Sequence, residues 1–472
     1  MAERTRASRG AALLAAALLA GCSQAPAYRP PTVALPTHYR EAGQDWVDAT
    51  PSQPQIAGRW WQGLGDPGLD AMEERLARDN PDLAAAVARH TIAAAGLREA
   101  RAARLPSVDI ASSLSENRQS QDRPLRSQTQ ENEYGSNTLG ATVSYEVDLW
   151  HRVSDTVKQA RAKAQASAAD AAAVRLSLEA ELASTWIALR GADDEIAILS
   201  HAVADYGRSA DITRNRFRGG IANGIDLGRS EAQLADAQAQ LAAMRSRRAV
   251  LGHAVATLAG IPASSLDIPV NAAPLRPLAV PGALPATLLQ RRPDIAAAEQ
   301  RMLAANRAIG VARAARFPML DLGGTGGVQS TIVGGLTSLP NLYWSIGPQL
   351  AGSLFDGGKR RARIVAARGE WDLATDQYRS TVLLAVRQVE DNLAQTRQLR
   401  EQGEAETRAA EAAGQAARLS SDRYMKGATT LLEVVTAETA ELVARRNASQ
   451  IATQRLQAGV ALVLALGGDK ES

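Results

Sequence analysis

The chain contains its own sequence twice. Pro81-Asp82-Leu83-Ala84-Ala85-Ala86 returns as Pro293-Asp294-Ile295-Ala296-Ala297-Ala298, an offset of 212 residues. At that offset Ala100-Arg101-Ala102-Ala103-Arg104 matches Ala312-Arg313-Ala314-Ala315-Arg316, Pro106 matches Pro318 and Asp109 matches Asp321. Further along, Arg216-Phe217, Gly220 and Asp226-Leu227 match Arg423-Tyr424, Gly427 and Glu433-Val434, now at an offset of 207. The second copy is therefore five residues shorter somewhere between about 110 and 157. Any fold for this chain has to be built from two equivalent halves, with the length change in a loop.

Within each copy the apolar period changes twice. Residues 81–104 are alanine-rich and free of internal proline, which predicts a helix ended by Pro106, as Pro318 ends its counterpart. The period then becomes two. Leu139, Ala141, Val143, Tyr145, Val147 and Leu149 alternate with Gly140, Thr142, Ser144, Glu146 and Asp148. That is a strand with one apolar and one polar face. Val108, Ile110 and Leu114 predict its partner, with residues 115–136 as a polar loop between them. In the second copy Leu320 and Leu322 begin one strand, and Trp344, Ile346, Leu350 and Leu354 mark the other. Gly323-Gly324-Thr325-Gly326-Gly327 is expected in a flexible hairpin that carries the deletion.

After the strands the pattern is helical again. Val157, Ala160, Ala164, Ser167, Ala171, Val174 and Leu178 step by three and four, and Ile364, Ala367, Trp371, Ala374, Tyr378, Thr381 and Ala385 repeat the register at offset 207. Residues 155–190 lack proline and glycine, so about ten unbroken turns are expected. Val382, Val386, Val389 and Leu393 add a second seam, as in a tube of helices that pack on both sides.

Four strands of about ten residues have the length and alternation of transmembrane β-strands. Open sheet edges do not occur in lipid, and four strands cannot close a barrel, so separate chains must share one. Two chains would give eight strands and a filled interior; three would give about twelve and leave a pore.

The N-terminus reads as an export signal. Arg4, Arg6 and Arg9 precede the apolar Ala11–Ala20 stretch, followed by Leu19-Ala20-Gly21-Cys22. Cys22 is the chain's one cysteine, so an intrachain disulfide and a thiolate metal cluster are excluded. Past residue 20 no apolar run approaches the ~18 residues of a spanning helix. The formal charge of +3 shows no basic excess of the kind that binds polyanions. The reading divides the chain into a signal peptide (1–21), a proline-rich segment (22–63), repeat 1 (64–260), a proline-rich linker (261–290) and repeat 2 (291–468).

Leu19–Cys22 resembles a bacterial lipobox. Trp60-Trp61, Asp66-Pro67 with Leu69, the repeated Pro-Asp and Arg-x-x-Arg-x-Pro segments, Arg291-Arg292-Pro293-Asp294-Ile295 and the Arg-aromatic…Gly breaks are similar, in order, to the TolC-like outer-membrane efflux family, lipoprotein branch. The resemblance implies signal cleavage before Cys22, with N-acyl and S-diacylglycerol groups on that residue. It implies a mixed α+β membrane protein: a homotrimer whose shared β-barrel, four strands per chain, continues as a long α-helical barrel. It also implies a passive duct that works with a periplasmic adaptor and an inner-membrane efflux pump to export small toxic compounds or drugs. The same resemblance places a gate at the periplasmic ends of the long helices. The candidates are Asp193, Asp194 and Glu195 after Arg190-Gly191, and Arg400, Glu401, Glu404, Glu406, Arg408 and Glu411. The aspartate that the family often carries further along the later helix falls at Gly414 here.

The five histidines share no ligand spacing, the glycine clusters lack a P-loop lysine, and no nucleophile–base set stands out, so no metal, cofactor or catalytic residue is expected. Tyr145, Trp150, Tyr343, Trp344 and Phe355 are candidates for an interfacial girdle. Two other functions remain open at the level of sequence: an outer-membrane duct for type I protein secretion, and a lipid-anchored periplasmic coiled coil without a pore.

Overall fold

The structure, a computed structural model, describes residues 23–35, 38–42, 59–122, 124, 127, 129, 131–271, 273–278 and 292–468. The lipobox with Cys22, and Arg291 of the second repeat, lie outside the described residues.

The elements run in duplicate. A 3-10 turn (Trp60–Leu64) and α1 (Pro67–Asp79) open the chain. The first repeat follows with α2 (Pro81–Ala102), β1 (Ser107–Arg118), β2 (Glu133–Val147), α3 (Arg152–Arg218) and α4 (Gly224–Leu258). The second has α5 (Pro293–Ala314), β3 (Met319–Ser330), β4 (Leu342–Ala351), α6 (Lys359–Met425) and α7 (Leu431–Ala465). Both long helices have 67 residues and both returning helices 35.

Four expectations change. The first hairpin extends to Arg118 and restarts at Glu133, so its loop is shorter than 115–136. Cross-strand bonding, including Ser115 Oγ to Ser136 O at 3.1 Å, holds polar residues that alternation alone assigned to solvent. The glycine run 323–327 is the middle of β3, paired on both sides, and the loop lies beyond it at 331–341. Leu354 falls past the end of β4. The long helices also outrun the proline- and glycine-free window. A glycine inside a helix costs about 1 kcal/mol and does not end it. At Gly191 an added Cβ would stand 2.3 Å from Thr453 Oγ1, so the glycine admits close approach of α7 rather than a break.

Two compact units emerge. The first comprises residues up to 31, 89–168 and 297–378. It holds one antiparallel sheet in the order β1-β2-β3-β4. The junction from β2 to α3 is fixed by Asp148, whose two carboxylate oxygens accept from Val153 N and Ser154 N at 2.8 Å each. Burial would raise that carboxyl; bonds from Ser154 and Val153 outweigh it and hold it below its ordinary value. Trp150 stacks on Phe317 at 4.5 Å and donates to Pro318 O at 2.8 Å, so this aromatic is a packed strut rather than a free girdle residue. Residues 23–31 pack as a strap: Ser23 Oγ donates to the buried Asp155 at 2.8 Å, and Arg313 Nη1 to Gln24 O at 3.1 Å.

The second unit comprises residues 32–88, 169–296 and 379 onward. Its core gathers Leu64, Leu69 and Leu76 around Leu182, Trp186, Ile187 and Leu189 of α3, Val255 of α4 and Val460 and Val463 of α7. Each fully buried Leu or Ile contributes about 1.5–3 kcal/mol. The described part of the proline-rich 262–278 segment is also a strap, with Arg276 N donating to Leu64 O at 3.0 Å. Val389 and Leu393 of the expected second seam pack with Tyr39, Leu462 and Leu466.

Candidate functional site

The sheet's register sorts its side chains without ambiguity. Val108↔Val143↔Gly324↔Ile346 and Ile110↔Ala141↔Gly326↔Trp344 are continuous rows across the four strands. With Leu114, Leu139, Tyr145, Leu320, Leu322, Val328, Leu342 and Leu350 they form one face, because alternate residues of a strand share a side. Ile110 and Ile346 are 79% exposed and Trp344 is 74% exposed. A contiguous apolar surface of this kind marks contact with lipid or protein. The opposite face carries Ser107↔Ser144↔Gly323↔Gly347, Asp109↔Thr142↔Thr325↔Ser345 and Glu146↔Asp321↔Gln349. Tyr343 and Trp344, grouped as girdle candidates, therefore sit on opposite faces, Tyr343 with the polar rows.

The outer edges of β1 and β4 have no strand partner among the described residues. Because four is even and each pair is antiparallel, β4 of one copy can pair with β1 of another without reversing direction.

The acidic triplet of α3 lies mid-helix, far from the helix end at Arg218. Asp193 is fully buried. It accepts from Arg190 Nη1 (3.1 Å), Arg248 Nε (2.6 Å) and Asn271 N (3.0 Å). Arg190 also donates to Asp66 (3.0 Å) and Pro269 O (3.0 Å), and its guanidinium lies 4.6 Å over the Trp186 ring. Trp186 Nε1 donates to the same Asp66 oxygen at 2.9 Å. Burial would raise the Asp66 carboxyl; the Trp186 and Arg190 hydrogen bonds outweigh it and hold it below its ordinary value. Asp194 accepts from Ser449 Oγ, and Glu195 from Arg446 and Gln450 at 3.2 Å each. The three acidic side chains pin α4, α7 and the 262–278 strap to α3, and Arg190 ties in Asp66 at the start of α1.

The α6 candidates sit mid-helix as well, since α6 ends at Met425. Arg400, Glu401, Glu404, Arg408 and Glu411 are exposed and Glu406 is half-buried. The structure thus separates two clusters that stand at equivalent repeat positions. Gly414, opposite Glu441 of α7, supplies no charge there.

Sequence reasoning missed Arg248 and Arg446, whose carboxylate partners lie 55 and 251 positions away. It also missed Glu73 of α1, which is buried with both carboxylate oxygens lacking a hydrogen-bond partner among the described residues. Burial, reinforced by Glu179 and Asp70, pushes its carboxyl up to about 10. Glu438 of α7 borders a cleft of about 340 Å³ with His201, Asp205, Tyr206 and Tyr424, and burial raises it to about 7. No helix of the described residues is long and apolar enough to cross a membrane.

Comparison with known proteins supports this arrangement. The family model described as outer membrane efflux protein matches residues 74–260 and 284–468. The pyoverdine export outer membrane protein OpmQ of Pseudomonas putida is 30% identical over 446 residues, 93% of each chain. The toluene efflux pump outer membrane protein TtgI of P. putida is 28% identical over 465 residues, 97% of each chain. The open-state MtrE outer membrane channel of Neisseria gonorrhoeae superimposes with a TM-score of 0.83 at 26% identity, covering 95% of this chain and 98% of that one. The match of the family model to both repeats, with a relative 30% identical over 93% of the chain, shows that the chain belongs to the outer membrane efflux protein family.

Proposed function

We propose that three copies of this outer-membrane efflux component join their four-stranded sheets into one barrel and form a passive exit duct for small organic compounds. The observation that carries the assembly is the sheet itself, with an exposed apolar face, an opposite polar face and two edges without a strand partner among the described residues. Three copies supply twelve strands, enough to leave an aqueous lumen lined by the polar rows. Nothing in such a wall supplies energy, so the duct depends on an inner-membrane pump reached through a periplasmic adaptor. The export named for the relatives above favours small-molecule cargo. Cys22, carrying N-acyl and S-diacylglycerol groups, anchors the chain to the same membrane.

The gate role belongs to the largely exposed α6 cluster of Arg400, Glu401, Glu404, Glu406, Arg408 and Glu411. The α3 triplet is spoken for by Arg190, Arg248, Arg446 and Ser449. Detergent-extracted protein is expected to crosslink as trimers and to conduct in planar bilayers. Monomeric, non-conducting material would overturn the reading. Neutralising Glu401, Glu404, Glu406 and Glu411 to Gln is expected to raise single-channel conductance, and an unchanged value would remove them from the gate. Cys22→Ala is expected to abolish incorporation of labelled fatty acid.

A further inference from the structure

The polar face of the sheet contains one row unlike the others: Ala111↔Gly140↔Gly327↔Tyr343. Strand side chains normally stand off the sheet. Tyr343 does not. Its hydroxyl oxygen lies 2.6 Å from the point where a Cβ on Gly140 would stand, and its Cζ 3.6 Å from that point. Gly140 is two strands away, and neighbouring strands are about 4.8 Å apart. The ring must therefore run along the sheet, across β3, to end on β2. Both residues in its path are glycines. At Gly327 an added Cβ would meet Leu139 O at 2.3 Å, so β2 and β3 approach there more closely than any side chain permits. The next row toward the helices, Asp109↔Thr142↔Thr325↔Ser345, holds only short side chains, so Tyr343 is the bulkiest group at this level of the face.

We propose that Tyr343, laid flat by Gly140 and Gly327, sets the bore of the duct at this level and with it the size of compound that passes. The inference rests on the reading that the polar face lines the lumen. With the glycines in place the ring is part of the wall. A side chain at Gly140 removes the seat of the hydroxyl and turns the ring into the passage.

The test uses full-length protein in planar bilayers. Gly140→Leu is expected to lower single-channel conductance, and adding Tyr343→Ala to the same chain is expected to restore it. Tyr343→Ala alone is expected to leave the channel no narrower than wild type. No loss in Gly140→Leu, or a loss that Tyr343→Ala does not relieve, overturns the proposal. If Gly140→Leu fails to assemble, Gly140→Ala supplies the same pair of measurements, since its single methyl already collides with the hydroxyl. Thr142→Cys, one row away on the same face, separates the two levels of the argument. A cationic thiol reagent is expected to block current through that variant and spare wild type. Absence of block shows that the polar face is not the lumen, whereas block together with insensitivity at Gly140 rejects the role of Tyr343 alone.

Discussion

The two repeats make the same joint with different side chains. In the first, Asn80 accepts from Asp82 N and Leu83 N at 2.9 Å each, and its Nδ2 donates to Leu258 O, at the end of α4, at 2.8 Å. In the second the equivalent residue is Arg292, whose Nη1 donates to Ala465 O, at the end of α7, at 2.9 Å. Its other nitrogens hold Asp294 and Gln388. The glycine after each terminal helix is retained, Gly260 at φ 69° and Gly467 at φ 90°. At Gly260 a Cβ would lie 2.4 Å from Asp79 O, so left-handed backbone and close approach both require glycine. Duplication has kept the carbonyl that must be satisfied and the backbone that only glycine adopts, and has let the donor change. On the long helices the divergence goes further. Asp193 is buried between two arginines, while the matching stretch of α6 around Glu401 faces outward.

Four measurements test that contrast. Asp193→Ala takes a carboxylate from the buried Arg190 and the half-buried Arg248, which keep Asp66, Pro269 O and Ile268 O as partners, so a loss of about 3 kcal/mol, the lower end for breaking a buried pair, is expected; thermal unfolding of the detergent-solubilised protein reads it. An equal loss from Glu401→Ala would abolish the distinction between the repeats. Next is Glu73, whose matching position in repeat 2 is Pro285. Its folded carboxyl sits at about 10, well above the unfolded 4.5. Its contribution is therefore fully present below pH 4.5 and is lost as pH rises toward 10. Glu73→Gln is expected to flatten that decline and to leave stability at low pH unchanged. Asn80→Ala removes a helix cap and is expected to cost about 1 kcal/mol by the same assay. Smallest is Glu404→Ala, an exposed site expected to stay within about 0.5 kcal/mol of wild type.

Much of this was legible in the primary structure because period and repetition are local signals. Val143, Tyr145 and Val147 announce a half-exposed strand, and Pro-Asp recurring at 81 and 293 announces the duplicated helix start. Gly191 misled because a helix tolerates glycine at low cost, and its reason, the approach of Thr453, comes from another element. The run at Gly323–Gly327 misled because glycine marks both loops and strands that approach closely. Asp193 stood among the gate candidates because Arg248 and Asn271 are brought to it only by the fold.

The proposed sharing of one wall among copies has a genetic corollary. A chain whose β1 or β4 edge no longer pairs, or whose Tyr343 obstructs the passage, would enter complexes beside normal chains and spoil them. Such alleles are expected to be dominant in cells that also express the unaltered gene, whereas alleles that prevent the chain from folding at all would be recessive.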